Sequence, residues 1–334
     1  MTRRTIALTN LRDLAERAVV AAGFAADDAA IIVDVLLYAE LRDNNQGLAK
    51  VAEGIVVRAP DERASKTLAH QGGFCLLDAG RRNGMLALHD AASEVATMAA
   101  EHGIAAMGVR ETSGSTGAIG YFARAIAEAG KIGIVMCGTP KAVAPAGGVD
   151  PTFGTNPIAA GLPVPGAEPV VLDMATGVIA WFGLIAARDR GEPIEAGLAY
   201  DADGAPTTDP KAALGGAIKA FAGTKGSGLA FLVEALTGAL VGGGLPGAAD
   251  AGANRGNLLI AIDPAIVGTD YDRRIKALIA HIRAGRPSED GRAILLPGER
   301  GDQLMASRLA AGDISLDAGL LDAIEARAAK GTEQ

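Results

Sequence analysis

The stretch Thr112-Ser113-Gly114-Ser115-Thr116-Gly117-Ala118-Ile119-Gly120-Tyr121 decides the fold. It follows a short apolar run, Ile104 to Val109, and leads into a helix predicted over about Ala118 to Ala129. A glycine-rich loop between a strand and a helix presents backbone N–H groups to an anion. Its glycines fall at 114, 117 and 120, however, a G-x-x-G-x-x-G spacing. A Rossmann turn requires G-x-G-x-x-G and an acidic residue closing a neighbouring strand at the proper distance. Neither condition is met, so the segment points to an α/β protein that is not a Rossmann fold. The other glycine-rich run, Gly223 to Gly228, lacks the Gly-Lys-Ser/Thr order of a nucleoside triphosphate loop. No G-x-S-x-G nucleophile elbow surrounds Ser115 or Ser227.

Outward from this loop, short apolar runs alternate with amphipathic segments. Strands are predicted at Phe74 to Asp78, Ile104 to Val109, Ile132 to Cys137, Pro157 to Leu162, Val170 to Asp173 and Leu258 to Ile262. Between them lie helical patterns at Met85 to His102, Ala118 to Ala129 and about Gly228 to Val241. Such alternation predicts an α/β sheet. Both ends read as helical. Thr9 or Asn10 offers a cap to a helix at Leu11 to Ala22, and Asp27 or Asp28 to one at about Ala29 to Leu41. The run Asp43-Asn44-Asn45-Gln46-Gly47 breaks the second, and a further helix is expected to about Arg58. Two or three more helices are expected from Tyr271 to Lys330. The division predicted is a helical domain of 1–71 plus 265–334 and an α/β domain of 72–264, because termini of compact folds often meet.

Bulk composition excludes several functions. Of 334 residues, 49% are hydrophobic and only 4% aromatic, so the cores rest on Ala, Leu, Ile and Val. A net charge of −8, without a basic stripe interleaved with aromatics, argues against nucleic acid as a partner. No run reaches the roughly 20 apolar residues of a membrane span, and Glu234 interrupts the best candidate, Gly226 to Gly244. No apolar stretch of signal-peptide length follows Met1 to Arg4, so a cytoplasmic location is expected. Cys75 and Cys137 read as buried reduced thiols, and no Cys or His cluster has metal-ligand spacing.

Nine collinear blocks carry a resemblance. They are Ala39-Glu40-Leu41-Arg42 with Gly47; Gly117 to Tyr121; Val143-Ala144-Pro145-Ala146-Gly147-Gly148; Gly154-Thr155-Asn156-Pro157; and Leu172-Asp173-Met174-Ala175-Thr176. Then follow Asp201, Gly204 and Pro206 to Pro210; Lys225-Gly226-Ser227-Gly228-Leu229; Ala261-Ile262-Asp263-Pro264; and Pro297-Gly298-Glu299. In this order the chain resembles the type-2 malate/L-lactate dehydrogenase family, which includes ureidoglycolate dehydrogenase, sulfolactate dehydrogenase, 2,3-diketogulonate reductase and the piperideine- and pyrroline-2-carboxylate reductases. The resemblance implies a non-Rossmann α/β fold with a mixed sheet and a helical domain from both termini. It also implies an NADH or NADPH site, an intertwined homodimer and an active site between domains.

The departures bear on chemistry. The family's Ser-His-Gly, with an arginine three residues on, stands here as Asn45-Gln46-Gly47 with Lys50. The second family histidine is Ser115, and the tryptophan of the Gly-Trp-Ala block is Leu198. The lysine after Asp-Met-Ala-Thr is missing, and Trp181 stands in that region. Reduction of a ketone leaves an alkoxide that needs an acid working near neutral pH, which histidine supplies. Glutamine donates a hydrogen bond but does not titrate. Three readings stay open. One is reduction of a cyclic imine, or another substrate bringing its own proton, with Gln46 and Ser115 orienting it and Lys50 pairing its carboxylate. The second is a carbonyl reduction with Lys50, Tyr121, Lys141 or water as donor. The third is a repurposed or catalytically silent protein on the same fold.

The candidate catalytic residues are therefore Gln46, Lys50, Ser115 and Tyr121, each with a plainer alternative: a loop amide, a surface lysine, a helix cap and a core tyrosine. Substrate contacts are expected from Thr139, Lys141 and Thr155. Cofactor contacts are expected from Thr116, Gly117, Asp173, Met174, Ala175, Thr176, Thr224, Lys225, Gly298, Glu299 and Arg300. In these, Asp173 would accept ribose hydroxyls and Lys225 would meet phosphate as a point charge. No metal is expected.

Overall fold

The computed structural model of the chain describes residues 2–245, 255–268, 270–289 and 291–330. The chain opens with β1 (Arg3–Ala7), α1 (Leu8–Ala21) and α2 (Ala26–Leu41). Neither helix uses the cap that its sequence offers. β1 delivers Ala7 directly into the capping position of α1, ahead of Thr9 and Asn10. α2 begins at Ala26, so Asp27 and Asp28 lie in its first turn, against the positive end of the helix dipole. The helix expected to run to Arg58 is a single turn, α3 (Ala49–Ala52), closed by Gly54 at φ +71°.

β2 (Lys66–Gln71) and β3 (Phe74–Asp78) form a hairpin, followed by α4 (Gly84–His102), β4 (Ile104–Thr112), α5 (Gly120–Glu128) and β5 (Ile132–Cys137). Asn83 caps α4 by accepting from the Met85 N–H at 2.9 Å. Next come β6 (Lys141–Ala144), β7 (Phe153–Gly154), β8 (Ile158–Leu162), β9 (Val170–Met174) and α6 (Trp181–Arg190). Then follow β10 (Ala199–Tyr200), β11 (Pro206–Thr207), α7 (Pro210–Gly215), β12 (Ala217–Lys219) and α8 (Thr224–Glu234). α8 passes into a π-helical turn, Ala235–Leu240. The chain ends through β13 (Arg255–Ile262), α9 (Tyr271–Arg283), α10 (Glu299–Ala311), β14 (Asp313–Asp317) and α11 (Ala318–Ala329).

The large sheet has seven strands in the order β2-β3-β4-β13-β5-β8-β9. Only β3 and β4 run parallel in it, so it is mixed, as the resemblance implied. A second sheet, β11-β10-β12-β6-β7, was not expected as a separate layer and carries its own small core of Val143, Leu184, Ile194, Ala199 and Ile218. β1 and β14 pair antiparallel and tie the two ends of the chain together. The large core joins α1, α2, α4, α5 and α11 to the inner strands. The division expected at residue 72 falls inside the β2–β3 hairpin, which hydrogen-bonds as one unit into the large sheet. Close approach between α5 and β8 depends on Gly161, where an added Cβ would stand 2.0 Å from the Ala123 carbonyl oxygen.

Candidate active site

A cavity of about 700 Å³ opens where the loop after α2, the loop before α5, the two sheets and the first turn of α10 converge. The structure brings most of the predicted residues to its wall: Gln46 and Lys50, the run Ser115, Thr116 and Gly117, then Thr139, Lys141 and Thr155. Asp173, Met174, Ala175 and Arg300 complete that set.

The loop after α2 is fixed by a buried carboxylate. Glu40 accepts from the Leu48 N–H at 2.8 Å, and burial raises its pKa. A side chain at Gly47 would collide with this carboxylate, its Cβ 2.3 Å from Glu40 Oε2. Gln46 is thereby turned toward the cavity, its amide nitrogen donating to Asn45 Oδ1 at 3.2 Å. Lys50 is 2% exposed, with its ammonium 3.8 Å from the centroid of the Phe182 ring. Among the described residues its side chain has neither ion pair nor hydrogen bond. Burial, then the charge of Arg255, lowers its pKa to about 7.

The opposite wall is the loop that opens the sequence argument. Ser115 Oγ accepts from the Gly117 N–H at 3.1 Å, so it caps a turn while lining the cavity. Gly117 sits at φ +69°, a conformation suited to glycine. The first N–H of α5, on Gly120, donates at 2.9 Å to Asp173, and burial raises the pKa of that carboxyl. The helix start, a position suited to an anion, is thus already engaged by the chain's own carboxylate.

Thr139 and Thr155 are held by a buried polar pair. Asn156, fully buried, donates to Glu234 at 2.8 Å, and its Oδ1 accepts from the Thr139 N–H at 3.2 Å. The Thr139 and Thr155 hydroxyls lie 3.2 Å apart. This explains Glu234, the charge that interrupts an apolar helix.

Other predicted residues stand away from the wall. Tyr121 packs edge-on against Tyr38 and Phe122, at centroid distances of 5.7 and 5.3 Å, the core alternative rather than a cleft hydroxyl. Thr176 is buried and donates to the Thr155 carbonyl at 3.0 Å. Thr224 and Lys225 are exposed at the start of α8. Gly298 accepts from Arg42 at 2.9 Å, and Glu299 accepts from the Leu296 N–H and pairs with Arg283. These residues shape the turn that presents Arg300.

Sequence reasoning overlooked Arg255, Pro140 and Phe182 on the wall, and quoted Arg42 without giving it a place in the site. Arg255 is the informative omission: it heads the apolar strand Arg255–Ile262 and donates to the Gly114 carbonyl oxygen. A lone arginine at the mouth of a buried strand was the available signal. Arg42 stacks on Tyr38 and pairs with Asp302. No group of His, Cys, Asp and Glu able to hold a metal ion occurs among the described residues.

Comparison with known proteins agrees with this architecture. A profile of the malate/L-lactate dehydrogenase family matches residues 6–325. The chain is 38% identical over 244 residues to a delta(1)-pyrroline-2-carboxylate reductase of Pseudomonas fluorescens, covering 69% of this chain and 72% of the relative. It is 32% identical over 327 residues to the NAD(+) ureidoglycolate dehydrogenase of Escherichia coli O157:H7, covering 92% and 90%. A solved dehydrogenase from Sinorhizobium meliloti superposes with a TM-score of 0.88 at 32% identity, over 98% of each chain. With its mixed sheet and its ordered sequence blocks, the chain belongs to the malate/L-lactate dehydrogenase family of oxidoreductases.

Proposed function

We propose that the protein is an NAD(P)H-dependent reductase of a small carboxylate substrate, foremost a cyclic imine acid. One observation carries this reading. The cavity wall holds cations and non-titrating hydrogen-bonding groups together, Lys50 and Arg255 beside Gln46, Ser115 and Thr139, and holds no histidine. The cations suit a carboxylate, and the amide and hydroxyls orient the atom next to it. A C=N group protonated on binding accepts hydride without a histidine acid. The pyrroline-2-carboxylate reductase among the relatives supports the same substrate class.

The residues present also fit a nicotinamide dinucleotide. Arg300 is exposed in the first turn of α10, lines the cavity and has no ion pair among the described residues, which suits a phosphate. Asp173, Met174 and Ala175 offer a carboxylate and an apolar edge for a ribose and a ring, and Thr116 and Gly117 close the other side. When bound, the nicotinamide supplies or accepts a hydride. Thr224, Lys225 and Glu299 have no part in this reading.

We further propose a cytoplasmic homodimer. Its support is the exposed Phe231, Leu232 and Leu240 along α8 and its π-helical turn, and the unpaired thiols of Cys75 and Cys137. Light scattering at the mass of one chain would overturn the dimer.

The function is tested by titrating the protein with NADH and NADPH while following nicotinamide fluorescence, then screening cyclic imine carboxylates and 2-oxo acids. Saturable binding and turnover of a cyclic imine acid are expected. No binding up to millimolar cofactor would sink the oxidoreductase reading.

A further inference from the structure

Lys50 has the surroundings of a working group rather than of a structural lysine. Burying an ammonium without a partner is costly, and folded proteins avoid it unless the site is used. Its long stem lies in the core, and its Nζ faces the cavity over the Phe182 ring. Besides Lys50, the ionisable groups lining the same cavity among the described residues are Arg42, Asp43, Lys141, Asp173, Arg255 and Arg300. Arg42 is neutralised by Asp302, and Asp173 is held by the Gly120 N–H. Asp43 lies beside Arg308, while Lys141 and Arg300 are exposed at the mouth. Among the described residues no carboxylate pairs with Lys50, and the charge acting on it is that of Arg255.

We infer that Lys50 is the proton donor that accompanies hydride transfer, and that Arg255 is the neighbouring cation that holds the substrate carboxylate. This rests on the reductase reading above and deepens it. As the carbonyl carbon of a 2-oxo acid receives a hydride, the π electron pair of its C=O moves onto oxygen. One Nζ–H bond of Lys50 breaks, and its proton forms the new O–H bond; a C=N that is protonated on binding takes the hydride to give the neutral amine and draws no proton at this step. Lys50 is left as a neutral amine and regains a proton from solvent at the cavity mouth. In the oxidative direction the neutral amine takes the proton. The donor therefore extends the site from imines to 2-oxo acids, whose alkoxide cannot form without one. Burial and Arg255 bring the ammonium to about 7, where both of its forms are available at neutral pH.

Competitive acetylation of the full chain with acetic anhydride between pH 5 and pH 11, read lysine by lysine by mass spectrometry, tests the group itself (the range follows from the ordinary span of lysine titration). The expected result is a Lys50 midpoint near 7, with exposed Lys66 as internal reference, and an upward move of that midpoint in Arg255→Leu. A Lys50 that tracks Lys66 would overturn the assignment. Kinetics supply the second arm. Lys50→Arg keeps the charge but cannot release the proton. Its kcat on 2-oxo acids should fall on the order of 10²- to 10⁴-fold with little change in KM, and the pH limb near neutrality should vanish, while cyclic imine acids, which bring their own proton, should lose far less. Lys50→Met, which needs no buried charge, should show the same loss in a protein that folds. Unchanged kcat and an unchanged limb would overturn the role. Absent NAD(P)H binding would overturn the reductase reading and the donor role with it, whereas NAD(P)H binding with an unchanged Lys50→Arg kcat would overturn the donor role alone.

Discussion

At the scale of single residues, the site contrasts an amide that cannot titrate with an amine poised to do so. Gln46→His places an acid on the cavity wall, and turnover of 2-oxo acids should rise at least about tenfold; an NADH-oxidation assay decides it. Lys50 also makes stability depend on pH in a definite sense. Its folded pKa is lowered, so between about 7 and the ordinary lysine value of 10.5 the unfolded chain binds more protons than the folded one. Stability from this group rises with pH across that window and is least below it. Lys50→Met should therefore stabilise the fold by on the order of 3 kcal/mol at pH 6, and the gain should shrink as pH rises toward 10, read by chemical denaturation at each pH. Removing the cavity-lining guanidinium with Arg300→Ala should weaken NAD(P)H binding about tenfold, roughly 1.4 kcal/mol, in the fluorescence titration. Lys50 and Gln46 were legible in the sequence because they depart from a pattern. Arg255 was not, because residues far apart in the chain place it: it reaches the wall only once β13 lies between β4 and β5.

At the scale of elements, legibility followed length. The long helix α4 was marked by sustained periodicity, and six of the seven strands of the large sheet by short apolar runs; β2, Lys66–Gln71, was missed because it is exposed along its whole length. The small sheet was missed because strands of two to four residues hold too few alternations to show a period of two. The caps were misplaced where a strand or backbone geometry started the helix before the polar residue. Contacts between elements give their own tests. Gly161→Ala would push its Cβ into the Ala123 carbonyl and part α5 from β8, at a cost of about 1–3 kcal/mol or more in denaturant unfolding. Since α5 carries the Gly120 N–H that holds Asp173, the same change should also weaken cofactor binding. Asn83→Ala removes the α4 cap and should cost roughly 0.5–2 kcal/mol.

At the scale of the whole molecule, the decisive tie is between the two ends. In β1–β14 the register pairs Arg3 with Asp317 and Ala7 with Asp313, while α1 packs on α11. The meeting of the termini was expected from compactness, but the strand pair that makes it was not, because each strand is only five residues long and β1 is exposed along nearly its whole length. Deleting residues 1–7 uncovers the buried Ile314 and Leu316 and should cost roughly 2–4 kcal/mol, seen as a lower Tm. The same tie sets a timetable for synthesis. On the ribosome β1 emerges long before its partner β14, with both sheets encoded between them. β1 must stay unpaired until β14 has been made, and closing so long a loop is slow. The core face that carries Ile314 and Leu316 is therefore completed late, well after the strand that covers it has been synthesised.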